Sequence, residues 1–130
     1  MHGENMGLTF LEIEIGNPAD TSKTRLLEFM VDSGAIYTVA PAGILSELGI
    51  QPISEEKYWL ANGERISRKR GIAYFKYGDK VGGADVVFGE EGDSNLLGAT
   101  TLESLGLALD PLRRELKPLP LILGGYRPQA

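Results

Sequence analysis

The sequence contains no cysteine and only one histidine, His2. The lack of cysteine excludes disulfides, thiolate metal sites and cysteine nucleophiles. The scarcity of histidine argues against zinc and against a Ser-His-Asp hydrolase, and Ser33 does not stand in a G-x-S-x-G sequence. Gly82-Gly83 is followed by Ala84-Asp85, which is not the sequence of a phosphate-binding loop. We therefore expect no metal and no cofactor.

An excess of positive charge and a long apolar run are also missing. The net charge is −5 and the pI is about 4.9, which disfavours nucleic acids and membranes as partners. No apolar run approaches the roughly 20 residues that a transmembrane helix needs. The amino-terminal sequence MHGENMG lacks the basic and apolar regions of a secretory signal, so we expect a cytoplasmic protein.

Glycine and proline are frequent, with 17 and 7 residues in a chain of 130 residues, a length that fits one domain. Because they separate short apolar segments, they predict a mostly β fold. Residues 8–15 alternate in polarity, with Leu11, Ile13 and Ile15 predicted to face inward. Further strands are predicted at 25–32, 35–39, 72–77, 84–88 and 95–98.

Two short helices and one hairpin complete the predicted elements. The helices span about 41–49 and 100–106, each ends at a glycine, and the second begins with a Thr100–Glu103 capping box. Asn62-Gly63 is typical of a tight hairpin turn, because both residues tolerate a positive φ.

An aspartate stands at the end of a predicted buried strand, in the segment Phe29–Ala35 (FMVDSGA). A carboxylate in this position is costly to desolvate unless another group stabilises it. Asp32 is followed directly by a hydroxyl and a glycine. With serine, zinc and phosphate chemistry set aside, the remaining candidate is carboxylate chemistry centred on Asp32.

The segment Val31–Ala35 resembles the Asp-Ser/Thr-Gly signature of aspartic proteases, in the form of the single-domain, retroviral-type members. Leu96-Leu97-Gly98, followed by a short helix and Leu107–Asp110, resembles the second motif of that family. The Asn62-Gly63 hairpin stands where the family has its flap. The resemblance, which runs from Leu8 to Asp110, implies a retropepsin-like fold. That fold is a closed β-barrel of the acid-protease type with one or two short helices and a β-hairpin flap.

The resemblance also implies the roles of individual residues. Asp32 is the catalytic residue, and the flap and substrate-binding residues are Trp59, Leu60, Ala61, Asn62 and Gly63. In this family two aspartates share one proton and activate a water molecule between them. Because Leu97-Gly98-Ala99 contains no acid, one chain supplies one aspartate. The resemblance therefore implies a homodimer, in which an identical chain supplies the second Asp32, acting on a peptide or protein substrate.

The residues that follow Asp32 are expected to support it. Gly34 brings its N–H to the carboxylate, and Ser33 donates across the subunit interface, as the hydroxyl at this position does in the family. Ala35 stands where pepsins usually carry a hydroxyl that helps to ionise the aspartates. The departure implies activity at a milder pH.

Two other functions fit the same residues. One is a catalytically inactive retropepsin-fold module for dimerisation or peptide binding, although such a module has no reason to keep a costly buried acid. The other is a monomeric β-barrel domain of a larger assembly, with the Asp-Ser-Gly sequence arising by chance. Trp59 either lines a substrate pocket or packs as an ordinary aromatic residue.

The remaining expectations concern charge clusters and boundaries. The cationic cluster Arg65, Arg68, Lys69 and Arg70 indicates a solvated face rather than a preference for acidic substrates. The residues of Glu90–Ser94 lack the spacing of an EF-hand and indicate a solvated acidic loop. Pro118 and Pro120 indicate an edge strand or a special strand pairing. We predict an amino-terminal extension at 1–7, one protease domain at 8–123 and a tail at 124–130.

Overall fold

The computed structural model describes residues 8–32, 34–110 and 112–119. The predicted extension 1–7, the tail 124–130 and Ser33 lie outside these residues. The boundaries of the domain at 8–123 therefore stay predictions.

The described residues form nine strands and two helices of six residues each. The strands are β1 (Thr9–Asn17), β2 (Asp20–Val31), β3 (Thr38–Pro41), β4 (Ser54–Trp59), β5 (Arg65–Tyr77), β6 (Lys80–Gly89), β7 (Leu96–Leu97), β8 (Leu107–Asp110) and β9 (Glu115–Pro118). The helices are α1 (Ala42–Glu47) and α2 (Ala99–Ser104). This confirms the mostly β fold with two short helices. No helix in the described part of the chain has the length and apolar character needed to cross a membrane.

Seven strands form one sheet in the order β1-β2-β7-β3-β6-β5-β4, and β1 also pairs with β5. β7 pairs parallel with β2 and antiparallel with β3. It therefore lies between the strand that precedes Asp32 and the strand that follows it. β8 and β9 form a separate two-stranded sheet. The closed barrel stays a prediction.

The core confirms the alternation in β1. Ile13 and Ile15 are fully buried, and the half-buried Leu11 packs against the same core. Complete burial of a side chain such as Phe29 or Phe75 stabilises the fold by roughly 1.5–3 kcal/mol. Because Phe29 and Val31 are both in this core, the end of β2 gives Asp32 a fixed starting point.

Both helices end at a glycine in the left-handed region, as the sequence predicts. The φ angles are 79° at Gly49 and 71° at Gly106, and other residues are strained at such angles. The leucines before them, Leu48 and Leu105, have nearly the same φ, −79° and −81°. The repeated Leu-Gly sequence therefore forms the same helix ending twice.

The predicted capping box of the second helix is wrong. α2 begins at Ala99 after Gly98, and no side chain caps it. The hydroxyl of Thr100 donates instead to the carbonyl oxygen of Ile36 at 2.9 Å. The Thr100 hydroxyl, which the local sequence pattern assigned to the helix cap, therefore bonds to a distant segment of the chain.

The predicted hairpin is formed by β4 and β5, but its turn differs from the prediction. Gly63 has a φ of 88°, whereas Asn62 does not have a positive φ. The Leu60 N–H donates to the carbonyl oxygen of Glu64 at 2.7 Å and closes a loop of three residues, Ala61–Gly63. The side-chain oxygen of Asn62 accepts a hydrogen bond from the Glu64 N–H at 2.9 Å, which stabilises the turn.

The end of the described chain includes one strand that the sequence analysis missed, β8. Within the described residues its partner β9 pairs with β8 alone and ends at Pro118, which fits the edge position predicted for this proline. Pro120 lies outside the described residues.

Gly98 lies where two backbone segments cross beside the Asp32 loop. A Cβ atom at Gly98 would lie 2.4 Å from the carbonyl carbon of Tyr37 and 2.6 Å from the carbonyl oxygen of Ile36. The amides of the first two residues of α2 donate to the carbonyl oxygens of Ala35 and Ile36, at 2.9 and 3.0 Å. Glycine is therefore needed at this position, and the segment that follows Asp32 is held against the start of α2.

We predict that Gly98→Ala lowers the free energy of unfolding by about 3 kcal/mol, because the added methyl group meets backbone atoms that cannot rotate away. Urea denaturation measures the loss. Gly43→Ala in α1 is the matched control, since a Cβ atom there has no neighbour within 4 Å. The control should be neutral or stabilising by up to about 1 kcal/mol. Equal effects of the two substitutions would contradict the close crossing.

Candidate active site

Asp32 follows the buried end of β2 and begins the loop that leads to β3. Its N–H donates to the carbonyl oxygen of Leu97 in β7 at 3.3 Å, and its carbonyl oxygen accepts from the Ala35 N–H at 3.0 Å. These two backbone bonds fix Asp32 between the neighbouring strand and its own turn. In the single chain Asp32 is half-buried, so the residue is still accessible from one side.

The carboxylate of Asp32 is held by its own loop. The Gly34 N–H donates to Asp32 Oδ1 at 2.9 Å, which is the support that the sequence predicted. Among the described residues no cationic side chain forms an ion pair with Asp32. The loop therefore orients the carboxylate with a backbone donor.

The second predicted motif lies directly beside the Asp32 loop. Leu96 and Leu97 pair in parallel with Met30 and Val31, and Leu97 is fully buried. Gly98 then provides the close crossing described above. The structure therefore brings the two sequence motifs together, although they are more than 60 residues apart in the chain.

Two buried threonines beneath this crossing were not identified from the sequence. Thr38 and Thr101 are both 0% exposed, and their hydroxyl oxygens are 2.6 Å apart. Thr38 Oγ1 also accepts the Gly98 N–H at 3.0 Å. One hydroxyl pair thus joins β3, the second motif and α2. The available signal was periodicity, since Thr38 lies two residues before the buried Ala40 and therefore on the same face of β3.

A cleft of about 660 Å³ separates the Asp32 loop from the β4–β5 hairpin. The loop contributes Asp32, Gly34 and Ala35 to its lining, and the hairpin contributes Tyr58, Trp59 and Leu60. The predicted flap residues therefore divide into two groups. Trp59 and Leu60 line the cleft, whereas the tip Ala61–Gly63 is exposed and does not line it.

Trp59 is on the surface and not in the core. Its side chain is 71% exposed, and the guanidinium carbon of Arg65 lies 5.2 Å from the ring centroid. The interpretation of Trp59 as an ordinary packed aromatic residue is therefore wrong. The hairpin presents a large aromatic surface at the cleft.

A paired charge lies in the wall of the same cleft. Arg68 Nε donates to Asp93 Oδ2 at 2.7 Å and Arg68 Nη2 donates to Asp93 Oδ1 at 3.1 Å. Hydrogen bonding from Arg68 is the main cause that lowers the pKa of Asp93. Because this pKa is lowered, the stabilisation is present above the ordinary aspartate pKa and is lost as the pH falls through the lowered value. The expected solvated acidic loop 90–94 is therefore tied to β5 through Asp93.

A second arginine of the predicted cationic cluster is also neutralised. Arg70 forms ion pairs with Asp85 in β6 and, at 3.5 Å, with Glu56 in β4. The expected solvated face holds for Arg65 and Lys69, which are exposed, and not for Arg68 and Arg70. With two of its four cations paired, the cluster gives little support to a preference for acidic substrates.

Within residues 8–32, 34–110 and 112–119, no three histidine, aspartate or glutamate side chains lie close enough together to hold a metal ion.

Comparison with solved structures identifies the fold. No protein-family model and no curated protein sequence match the chain. The solution structure of the Simian Foamy Virus (mac) protease is similar, with a TM-score of 0.52 and 24% identity over 73% of this chain and 92% of the viral chain. The crystal structure of a retropepsin-like aspartic protease from Rickettsia conorii has a TM-score of 0.43 and 22% identity over 78% and 84% of the two chains. The first similarity shows that the chain has a retropepsin-like fold, as the motifs implied, whereas the closed barrel and the flap stay predictions.

We predict that Thr38→Val lowers the free energy of unfolding by about 3 kcal/mol, because it leaves the Gly98 N–H and the Thr101 hydroxyl buried without their partner. Thr101→Val should cost less, about 1 kcal/mol, since Thr38 still accepts from Gly98. Thr21→Val on the exposed part of β2 is the control, and urea denaturation is the measurement. If Thr38→Val is as mild as the control, the hydroxyl pair does not hold the crossing.

Proposed function

We propose that this chain is a homodimeric aspartic endopeptidase that hydrolyses peptide bonds with a water molecule activated between two Asp32 carboxylates. The observation that carries the proposal is one oriented carboxylate at a cleft in a chain with a retropepsin-like fold. The second motif, Leu96-Leu97-Gly98, packs beside Asp32 and contains no acid. A second chain, related by a twofold axis, therefore has to supply the missing carboxylate.

The proposed chemistry follows from placing two Asp32 side chains at the axis. Two carboxylates placed side by side at the axis repel each other when both are charged, so they share one proton. The charged partner removes a proton from the water, and the protonated partner donates to the carbonyl oxygen of the peptide bond. The Gly34 N–H keeps Oδ1 of each Asp32 in place during these transfers.

The β4–β5 hairpin acts in this proposal as the flap. Trp59 and Leu60 line the cleft, and the exposed tip Ala61–Gly63 extends beyond it, which is the arrangement expected of a segment that closes over a bound chain. Closure of such a hairpin excludes water and holds the substrate. The pairing of β1 with β5 supports the proposal that the sheet forms a closed barrel beneath the flap.

We predict that Asp32→Asn lowers kcat/KM for peptide cleavage by at least about 1000-fold at pH 4–7, because the amide cannot act as the general base. The sharper measurement mixes chains. When equal amounts of wild type and Asp32→Asn are unfolded and refolded together, random pairing makes roughly one quarter of the dimers fully wild type. The activity should therefore fall to about one quarter of that of the same total amount of wild type.

The control is Asp79→Asn in the exposed turn between β5 and β6. A refolded mixture of wild type and Asp79→Asn should keep the full activity of the wild type. A fall to about one half instead of one quarter would mean that each chain carries a complete site, and the shared dyad would be wrong. Equal cleavage by wild type and Asp32→Asn would indicate a contaminating protease. A folded dimer without cleavage would favour the inactive binding module. A stable monomer by sedimentation would rule out both dimeric functions.

We predict that Ala35→Ser shifts the optimum of the pH–rate profile to lower pH by about 0.5 to 1 unit, because a hydroxyl beside the dyad favours its charged form. Ala35 lines the cleft and its N–H contacts the Asp32 carbonyl oxygen, so the new hydroxyl lies next to the reacting groups. Ala19→Ser in the exposed turn between β1 and β2 is the control and should leave the profile unchanged. A wild-type optimum as acidic as that of gastric enzymes would contradict the role given to Ala35.

A further inference from the structure

The inner face of the hairpin is polar where an apolar face would be expected. From Arg65 to Arg70, exposed and half-buried residues of β5 alternate, and the half-buried ones are Ile66, Arg68 and Arg70. From Gly71 onward the buried positions are 71, 73 and 75, so the inward side of the strand changes at Gly71. Two of the three inward positions in residues 65–70, the part of β5 that belongs to the hairpin, are therefore charged. Their ion pairs therefore contribute to holding this part of the strand against the rest of the chain.

The Arg68–Asp93 pair has the geometry of a strong contact. Two of the guanidinium nitrogens, Nε and Nη2, bond to different carboxylate oxygens, and the two side chains are only 15% and 22% exposed. Two parallel charge-assisted bonds in a partly desolvated position fix both distance and direction. Asp93 Oδ2 also accepts the Glu90 N–H at 2.8 Å, so the loop end of the contact is itself ordered. Glu90 Oε1 lies 3.5 Å from Arg68 Nη1 and adds a weaker attraction between the loop and Arg68.

This pair joins two parts of the cleft wall that no described strand pairing connects. Arg68 belongs to the hairpin, whose strands pair with each other, and Asp93 belongs to the loop between β6 and β7. Both residues line the cleft that contains Asp32. The width of the cleft on this side therefore depends on the side-chain contact between Arg68 and Asp93.

We propose that Arg68 and Asp93 form a latch that ties the β5 arm of the hairpin to the loop between β6 and β7, beside the cleft that contains Asp32. Both are positioning residues, because they act on substrate binding through the hairpin and not on the reacting atoms. The effect on substrate rests on the proposed function. The effect on the hairpin does not rest on the proposed function, because it is measured in the protein without substrate.

The chain offers a matched control for the latch. Arg70 and Asp85 form another partly buried ion pair on the same face of β5, with side chains 22% and 28% exposed. This pair connects β5 to β6, which are already paired along eight residues of their length. Loss of the Arg70–Asp85 pair should therefore reduce stability without releasing the hairpin.

The test compares amide hydrogen exchange of the hairpin, residues 55–68, in the wild type and in Asp93→Asn, Arg68→Lys and Asp85→Asn. We expect exchange of these amides to rise about 10- to 100-fold in Asp93→Asn, with no change in β1 and β2. Arg68→Lys keeps the charge but loses the two-point contact, so it should give a smaller increase. The double variant Arg68→Asp/Asp93→Arg restores the pair and should return exchange toward that of the wild type.

Peptide cleavage provides the second readout. A loosened hairpin weakens binding of substrate and transition state alike, so KM should rise about tenfold in Asp93→Asn while kcat stays within about threefold of the wild type. A loss confined to kcat would overturn the assignment as positioning residues. If no variant cleaves any peptide, including the wild type, the proposed function fails and hydrogen exchange alone decides the latch.

Two results would overturn the latch itself. One is unchanged hairpin exchange in both Asp93→Asn and Arg68→Lys. The other is an equal rise in Asp85→Asn, which would indicate general loosening of β5 rather than release of a specific contact. If Asp93→Asn does not fold, the milder Arg68→Lys and the charge-reversed pair give the same comparison.

Discussion

The crossing of two backbone segments at Gly98 is the constraint on which the site depends. With no side chain in the way, the carbonyl groups of Ala35 and Ile36 reach the first amides of α2, and Thr38 reaches the Gly98 N–H. The loop that carries Asp32 is thereby fixed at both ends, by β2 before it and by α2 after it. A loop held at both ends keeps its carboxylate in one orientation, which a functional site requires.

The orientation of Asp32 does not require a deep pocket within one chain. The residue is half-buried, its carboxylate accepts a backbone N–H, and the cleft beside it is open. In the proposed dimer such a group is half of a symmetric site, because a second copy would bring the same loop and the same carboxylate to the axis. The proposed chemistry, the proposed dimer and the absence of an acid in the Leu96-Leu97-Gly98 motif are therefore one argument.

Local sequence patterns predicted much of the fold and some of the site. Alternation in β1, the glycines that end both helices, the hairpin and the Gly34 contact with Asp32 all depend on neighbours in the chain, and the structure confirms them. The failures depend on distant partners. Thr100 bonds to Ile36 instead of capping its helix, Thr38 meets Thr101, and Arg68 meets Asp93. A single sequence gives the residue types of such pairs but not which of them meet.

The change of inward side at Gly71 limits how the length of the hairpin can vary. Successive strand residues point to opposite faces, so adding or removing one residue between Lys69 and Gly71 would turn Arg68 outward and Lys69 inward. Only an even number of residues inserted there preserves the parity of the strand. The arms can therefore lengthen on the tip side of Arg68 without turning it, whereas a change of one residue beside Gly71 needs a compensating bulge.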